Sequence, residues 1–147
     1  MANRFAIQQV GVLDGTAYPA KKLDGAQVGA KERRTLCSKQ VLADAVGDTV
    51  TLCTIPAGAI VRQVNINSDT SLGTSTIAIG TVATPAKYVA ATTFTTPLNV
   101  PTAIGPKASV PAAGALLTDD VLIMSVGVAA LPAGAVVHIE IEFTISA

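Results

Sequence analysis

The sequence of 147 residues contains no tryptophan, two tyrosines, three phenylalanines and a single histidine. Binding sites for single-stranded nucleic acid and most sugar sites use aromatic platforms, so this scarcity argues against both classes. The only two cysteines lack CxxC spacing, which excludes the usual zinc and redox motifs. We therefore expect no enzyme activity, no metal site and no cofactor.

The chain also lacks an excess of either charge, because ten basic and ten acidic residues give a net charge of zero. Residues 1–34 nevertheless hold six basic and three acidic residues, hence +3 from 6 − 3, so the remainder carries −3. A basic segment on a mildly acidic body suits an anionic partner, or is an ordinary solvated tail. No run approaches the ~20 apolar residues of a membrane helix. We expect neither a membrane nor nucleic acid as a direct partner.

What the sequence does contain is alanine, valine, isoleucine, leucine and threonine, broken by 12 glycines and 8 prolines. This β-branched composition favours sheets. The segment 134–146 is the most regular, with apolar residues at alternate positions from Val137 to Ile145 and His138, Glu140 and Glu142 between them. Period-2 alternation predicts a strand with one dry and one wet face.

Two similar corners precede long β-branched segments. LPAGAVV at 131–137 nearly repeats IPAGAIV at 55–61, and VPAAGAL at 110–116 is a looser echo. Proline and glycine favour tight turns, with proline expected at the first central position. The likeness suggests two sheets that are entered in similar ways, although Pro-Ala-Gly is also a common corner.

The remaining pattern predicts the class of fold. Strands are expected at 35–42 and 48–54, joined as a hairpin, and at 59–67, 74–80 and 119–128, with short edge strands within 87–94 and at 103–104. About eight strands without a convincing helix predict an all-β, jelly-roll-like or Greek-key β-sandwich over residues 35–147. Residues 1–34, broken by glycines, are predicted to form an extended N-terminal arm.

The predicted hairpin would place Cys37 opposite Cys53 on paired strands. Opposed Cβ atoms in a sheet lie ~4.5–5.5 Å apart, beyond the ~3.8 Å typical of a disulfide. No signal peptide is recognisable at the first residues, and reduced thiols are the norm without export. We expect free, partly buried thiols that an extracellular particle could later oxidise.

Two groups of residues suggest metal chemistry weakly. His138, Glu140 and Glu142 share one face of the last strand, as a carboxylate–histidine site would require. No second histidine or cysteine pair completes a ligand set, so a solvated or subunit-facing polar face is the stronger interpretation. The Asp119-Asp120 pair is more typical of a turn before a strand than of a cation site.

The motifs at 55–61, QVNI at 63–66, GTSTIAIGT at 73–81 and LPAGAVVHIEI at 131–141 resemble head decoration, or cement, proteins of tailed bacteriophages. That resemblance covers roughly residues 50–80 and 119–145. It implies a jelly-roll-like sandwich that binds the outside of an assembled capsid as a trimer or dimer and clamps neighbouring coat subunits. It implies no catalytic residues. The implied location is the capsid exterior of a virion assembled in the bacterial cytoplasm.

The partners expected from this resemblance are the major capsid protein and further copies of the chain. The candidate coat contacts are the basic residues of the arm: Arg4, Lys21, Lys22, Lys31, Arg33 and Arg34. A head–tail connector or tail component is an alternative within virion proteins. A carbohydrate- or receptor-binding sandwich is the alternative from another class.

Overall fold

The computed structural model describes residues 31–39 and 44–145. It has eight strands and one helical turn: β1 (Lys31–Ser38), β2 (Thr49–Ile55), β3 (Ala59–Ser68), β4 (Thr76–Gly80), β5 (Val89–Thr93), β6 (Thr102–Gly105), α1 (Ser109–Ala112), β7 (Asp120–Gly127) and β8 (Val137–Ile145). The predicted edge strands at 87–94 and 103–104 are confirmed as β5 and β6. In the described ranges, no helix is long and apolar enough to cross a membrane.

The strands form two antiparallel four-stranded sheets. Sheet A has the order β1-β8-β3-β6, and sheet B has the order β2-β7-β4-β5. Every connection except β4–β5 passes from one sheet to the other. The neighbouring pairs β1–β8 and β3–β6 lie in sheet A, and β2–β7 and β4–β5 lie in sheet B, as in a jelly roll. The predicted all-β sandwich is confirmed, and the strand order is that of the jelly-roll alternative.

Strand β8 lies at the centre of sheet A because both of its edges are paired, with β1 and with β3. Its alternation is that predicted: Ile139, Ile141 and Phe143 are buried, whereas the residues between them are partly exposed. The buried face meets Leu122, Met124 and Val126 of β7 across the sandwich. Hydrophobic burial between two such faces is the main stabilising contribution to a sandwich of this size.

The two Pro-Ala-Gly corners are similar turns. The carbonyl of Pro56 accepts a hydrogen bond from the amide of Ala59 (3.2 Å), and that of Pro132 accepts one from Ala135 (3.3 Å). Gly58 and Gly134 have φ of 81° and 84°, as a type II turn requires at its third residue. Proline therefore occupies the first corner position, not the first central position as predicted. The strands that follow, β3 and β8, are also neighbours in one sheet and not the entrances to two.

The predicted hairpin of residues 35–42 and 48–54 is wrong. A turn does close at Asp48, whose amide donates to the carbonyl of Ala45 (3.1 Å). The flanking strands, however, lie in different sheets, since β1 pairs with β8 and β2 pairs with β7. The connection of ten residues, 39–48, is long enough to cross the sandwich, and an ion pair between buried Lys39 at its start and Asp44 near its middle (3.2 Å) stabilises it. Cys37 and Cys53 consequently are not opposed on paired strands.

Two boundaries also differ from the sequence pattern. Strand β1 begins at Lys31, so residues 31–34 of the predicted arm belong to sheet A, while residues 1–30 lie outside the described residues. Val128, the last residue of the strand predicted at 119–128, lies beyond β7 and is 74% exposed. It follows β7 in a tight turn at φ 67°, in which the amide of Ala129 donates to the carbonyl of Gly127 (2.8 Å). A positive φ is unusual for a β-branched residue.

Candidate interaction surface

Of the six basic residues predicted to contact a coat protein, the structure describes three. Arg4, Lys21 and Lys22 lie outside the described residues. Lys31, Arg33 and Arg34 are exposed on β1, the edge strand of sheet A. Because side chains alternate along a strand, Arg34 lies on the outer face, while Lys31 and Arg33 lie on the side of β1 that continues to buried Cys37. Neither Lys31 nor Arg33 forms an ion pair with a residue that the structure describes.

Arg34 is surrounded by carboxylates on the outer face of sheet A. Its guanidinium lies 3.2 Å from Glu32, 3.2 Å from Glu142 and 3.6 Å from Glu140. The hydrogen bond to Glu32 and the charges of Glu142 and Glu140 raise the pKa of Arg34 above its ordinary value. One cation facing three carboxylates is already compensated, so Arg34 offers little positive charge to a partner.

The polar face of β8 is confirmed, and hydrogen bonds join it to neighbouring strands. Ser38 Oγ lies 2.7 Å from Nδ1 of His138. Asn65 of β3 donates to Glu140 (3.3 Å) and accepts from Gln63 (2.7 Å). Within the described ranges, no group of three histidine, cysteine or acidic side chains is placed to hold a metal ion. His138, Glu140 and Glu142 therefore belong to a hydrogen-bonded polar surface.

The outer face of sheet B has a different character. No charged residue occurs in β2, β4 or β5, and the single one in β7 is Asp120 at its start. The register places small and uncharged residues on the outer face: Thr49, Thr51, Thr54, Thr76, Ala78, Thr93, Val121 and Ser125. Val121 is 49% exposed. The sequence signal for this face is the threonine at alternate positions of β2, which is weak alone because threonine suits any exposed strand.

One loop extends this uncharged face. A Cβ atom on Gly80 would collide with the backbone of Thr84 and Pro85, so the loop between β4 and β5 folds closely against the end of β4. Ile123, which pairs with Gly80, is accordingly buried although it points to the outer side. Val82 in the same loop is 79% exposed. The uncharged surface, termed here the sheet B face, therefore includes an apolar rim of Val82 and Val121.

Asp120 points away from that face into a polar cluster. Its Oδ2 accepts hydrogen bonds from Lys87 Nζ and from the hydroxyl of buried Tyr88. Burial opposes ionisation of Asp120, but these donors outweigh it and hold its pKa below the ordinary value. Burial, and then the bond to Asp120, raises the pKa of Tyr88. The cluster lines an open cavity of about 460 Å³ whose other walls include Val61, Val110 and Leu116.

The neighbouring carboxylate has a separate role. Asp119 Oδ1 accepts a hydrogen bond from the amide of Ala57 (2.8 Å), which fixes the first Pro-Ala-Gly corner. Asp119 and Asp120 thus bind protein donors on different elements. The turn interpretation of this pair agrees with these contacts. Sequence reasoning did not identify Lys87 and Tyr88 as partners of Asp120, because they are more than thirty residues distant in the chain.

Comparison with solved structures finds the same fold in bacteriophage capsids. A chain in the structure described as the capsid of Ralstonia phage GP4 superposes with a TM-score of 0.58 at 16% identity, over 80% of this chain and 86% of that one. A chain in the cyanophage Pam1 capsid asymmetric unit gives a TM-score of 0.53 at 18% identity, over 79% and 86%. At such identity the likeness establishes a shared fold. No protein-family model and no curated protein sequence matches the chain.

Proposed function

We propose that this chain is a structural protein of a phage virion that binds the outer surface of the capsid and stabilises contacts between coat subunits. The observation that carries the proposal is the shared fold: two chains from phage capsid structures superpose over about four-fifths of its length. The proposed partners are the major capsid protein and further copies of the chain. No catalytic role is proposed.

The surface chemistry supports binding through the sheet B face. The centres of protein interfaces are depleted in charged residues, because every unpaired charge must be desolvated on binding. The one charged strand residue of sheet B, Asp120, points away from the sheet B face, which adds two exposed valines, Val82 and Val121. A second contact is assigned to the basic residues of the segment 1–30 together with the exposed Lys31 and Arg33 at the start of β1.

The direct test is cryo-electron microscopy of the native virion, with density for this chain sought on the head. Density repeated over the whole shell, with the sheet B face on the coat lattice, is the expected result. Density confined to one vertex would replace the proposal by a connector or tail role. Density on no part of the particle would remove it.

A binding experiment measures the contribution of the arm. Full-length chain and a variant lacking residues 1–30 are mixed with capsids that lack the chain, and the bound fraction is measured after sedimentation. The truncated variant is expected to fold, with an unchanged far-UV spectrum, and to bind more weakly. Full binding by this variant would exclude the arm from the mechanism. Release of packaged DNA on heating should occur at a higher temperature in particles carrying the full-length chain.

A further inference from the structure

The two cysteines lie on the edge strands of different sheets, at the same side of the sandwich. Cys37 belongs to β1 of sheet A, and Cys53 belongs to β2 of sheet B. These two strands contact each other across the interior. Cys37 is 8% exposed, and Cys53 packs against the hydrophobic core. Both are free thiols.

An irregularity in β2 directs Cys53 inward. Thr51 pairs with Ile123 and Thr54 pairs with Val121, so β2 has one residue more than β7 between these pairs. Leu52 and Cys53 therefore share a single opposite position, as in a β-bulge, and both pack against the core. Without the bulge, strict alternation from Thr51 would turn Cys53 toward solvent. The bulge thus brings Cys53 to the side from which Cys37 approaches.

The pKa values of the two thiols shift in opposite directions. Cys53, acting as a donor to a Cys37 thiolate, lowers the pKa of Cys37. The interaction with Cys37, followed by burial, raises the pKa of Cys53. Cys37 is therefore the more acidic of the two thiols.

We propose that Cys37 and Cys53 form a redox-active pair, which is oxidised to a disulfide between the two sheets when the protein reacts with a disulfide oxidant. The site does not depend on the proposed capsid role. The geometry that carries it is the inward bulge of β2 opposite the buried thiol of β1. The class of co-substrate is a small-molecule disulfide, for which oxidised glutathione serves as the probe.

The chemistry balances in two exchange steps. The Cys37 thiolate attacks one sulfur of oxidised glutathione, forming a mixed disulfide and releasing one glutathione thiolate. The Cys53 sulfur then attacks the Cys37 sulfur, forms the bond between the sheets and releases the second glutathione. Two electrons pass from the cysteines to the oxidant, and the two thiol protons pass to the glutathione molecules.

The bond would join strands that otherwise have few connections. Sheet pairing holds β1 only through β8 and β2 only through β7, since both are edge strands. A disulfide between residues 37 and 53 closes a loop of about 15 residues, which restricts the unfolded chain. It would also fasten the strand that follows residues 1–30 to the opposite sheet. A mechanical force applied to β1 would then be transmitted to both sheets.

The test uses the reduced full-length chain, incubated while folded with oxidised glutathione and then alkylated in denaturant. Intact mass of the wild-type chain is expected to fall by about 2 Da with no alkylated thiol. Cys37→Ser and Cys53→Ser are the matched controls, and each should keep one thiol or carry one glutathione. The oxidised wild type should melt about 10 °C above the reduced form, whereas the double serine variant should be unchanged by glutathione.

Three results would overturn the inference. Two alkylatable thiols after prolonged incubation would show that the pair is not accessible to a disulfide oxidant. Stable glutathione adducts on the wild-type chain, or disulfide-linked dimers, would show that the second sulfur does not reach the first. An oxidised form that melts below the reduced form would show that the bond distorts the sandwich.

Discussion

The two sheets of this sandwich bury similar aliphatic faces but differ sharply in what they present outward. The strands of sheet A contain seven charged residues: Lys31, Glu32, Arg33, Arg34, Arg62, Glu140 and Glu142. Those of sheet B contain one, Asp120, which points inward to Tyr88. A chain with equal numbers of acidic and basic residues has thus concentrated its strand charges on one side. Net charge alone would not reveal this division.

The difference indicates which side is suited to tight contact. On the sheet A face, Arg34 pairs with three glutamates in a cluster of net charge −2 (+1 − 3), and Asn65 and Ser38 bond to neighbouring polar groups. A partner on this face would have to desolvate this cluster of charges. On the sheet B face, a partner meets threonine, alanine and valine, whose desolvation costs far less.

The largest expected effect is the loss of capsid binding when a charge is added to the sheet B face. Thr51→Glu places a carboxylate on exposed β2 without contacting the core. Burying this unpaired charge is expected to weaken binding about 100-fold, since each tenfold corresponds to about 1.4 kcal/mol. Sedimentation of the variant with capsids lacking the chain gives the affinity.

Leu36→Glu is the matched control for that experiment. Leu36 is 66% exposed on β1, so the same side chain is added to an edge strand of the opposite sheet. Its affinity is expected to stay near that of the wild type. Stronger loss from Leu36→Glu than from Thr51→Glu would reverse the assignment of the two faces.

A smaller effect is expected from the single strand charge of sheet B. Asp120→Asn leaves Lys87 and Tyr88 without their charged acceptor, and a hydrogen bond to an ionised group contributes about 1.5–3 kcal/mol. We expect the free energy of unfolding to fall by about 2 kcal/mol, as measured by urea denaturation. Binding of the folded variant to capsids should be unchanged, because Asp120 lies off the sheet B face. Weaker capsid binding under conditions in which the variant is fully folded would contradict the placement of Asp120 off the sheet B face.

The same carboxyl gives the sign of the pH dependence. Because the folded-state pKa of Asp120 lies below its ordinary value, its contribution to stability is present above the unfolded-state pKa of about 3.9. It is lost as the pH falls below that value toward the folded-state pKa. The difference in unfolding free energy between the wild type and Asp120→Asn should therefore shrink below about pH 4. If the difference in unfolding free energy instead grew on acidification, Asp120 would not be stabilised as a carboxylate in the folded protein.

Much of the fold could be predicted because the pattern is local. Alternation along β8 depends only on residues 137–145, and the Pro-Ala-Gly corners depend on four residues each. Pairing between strands is not local. The segment 43–47 reads as a hairpin turn by composition, and a turn does form at Asp48. Whether the chain then stays in the sheet or crosses the sandwich depends on which hydrophobic faces meet, a property of the whole fold.

The candidate surface was less predictable for the same reason. Basic residues are visible in a sequence, but the compensation of Arg34 by Glu140 and Glu142 depends on the pairing of β1 with β8. An uncharged face is harder to recognise, because it is defined by what several distant strands all lack. The bulge that turns Cys53 inward likewise leaves no signature in the sequence, since it arises from the mismatch between β2 and β7.

A modest effect is expected from the apolar rim of the sheet B face. Val121→Ser removes an exposed side chain that pairs with Thr54, and burial of a valine in an interface contributes about 1.5 kcal/mol. Capsid affinity should fall about 10-fold, while the unfolding free energy changes little. Leu36→Ser supplies the comparison on sheet A. Equal losses from both variants would mean that contact is not restricted to one sheet.

The smallest effect is expected at Arg34, the most heavily paired residue of sheet A. Its side chain is 60% exposed to solvent, where ion pairs are screened and contribute little to stability. Arg34→Gln should leave the melting temperature within experimental error in 0.15 M salt, with at most a slight decrease at low salt, where repulsion among the glutamates is less screened. Capsid binding should also be retained, because the cluster lies on the face assigned to solvent. Strong loss of binding with an unchanged melting temperature would instead make Arg34 a contact residue, and the charged face of sheet A would then be the one that meets the coat.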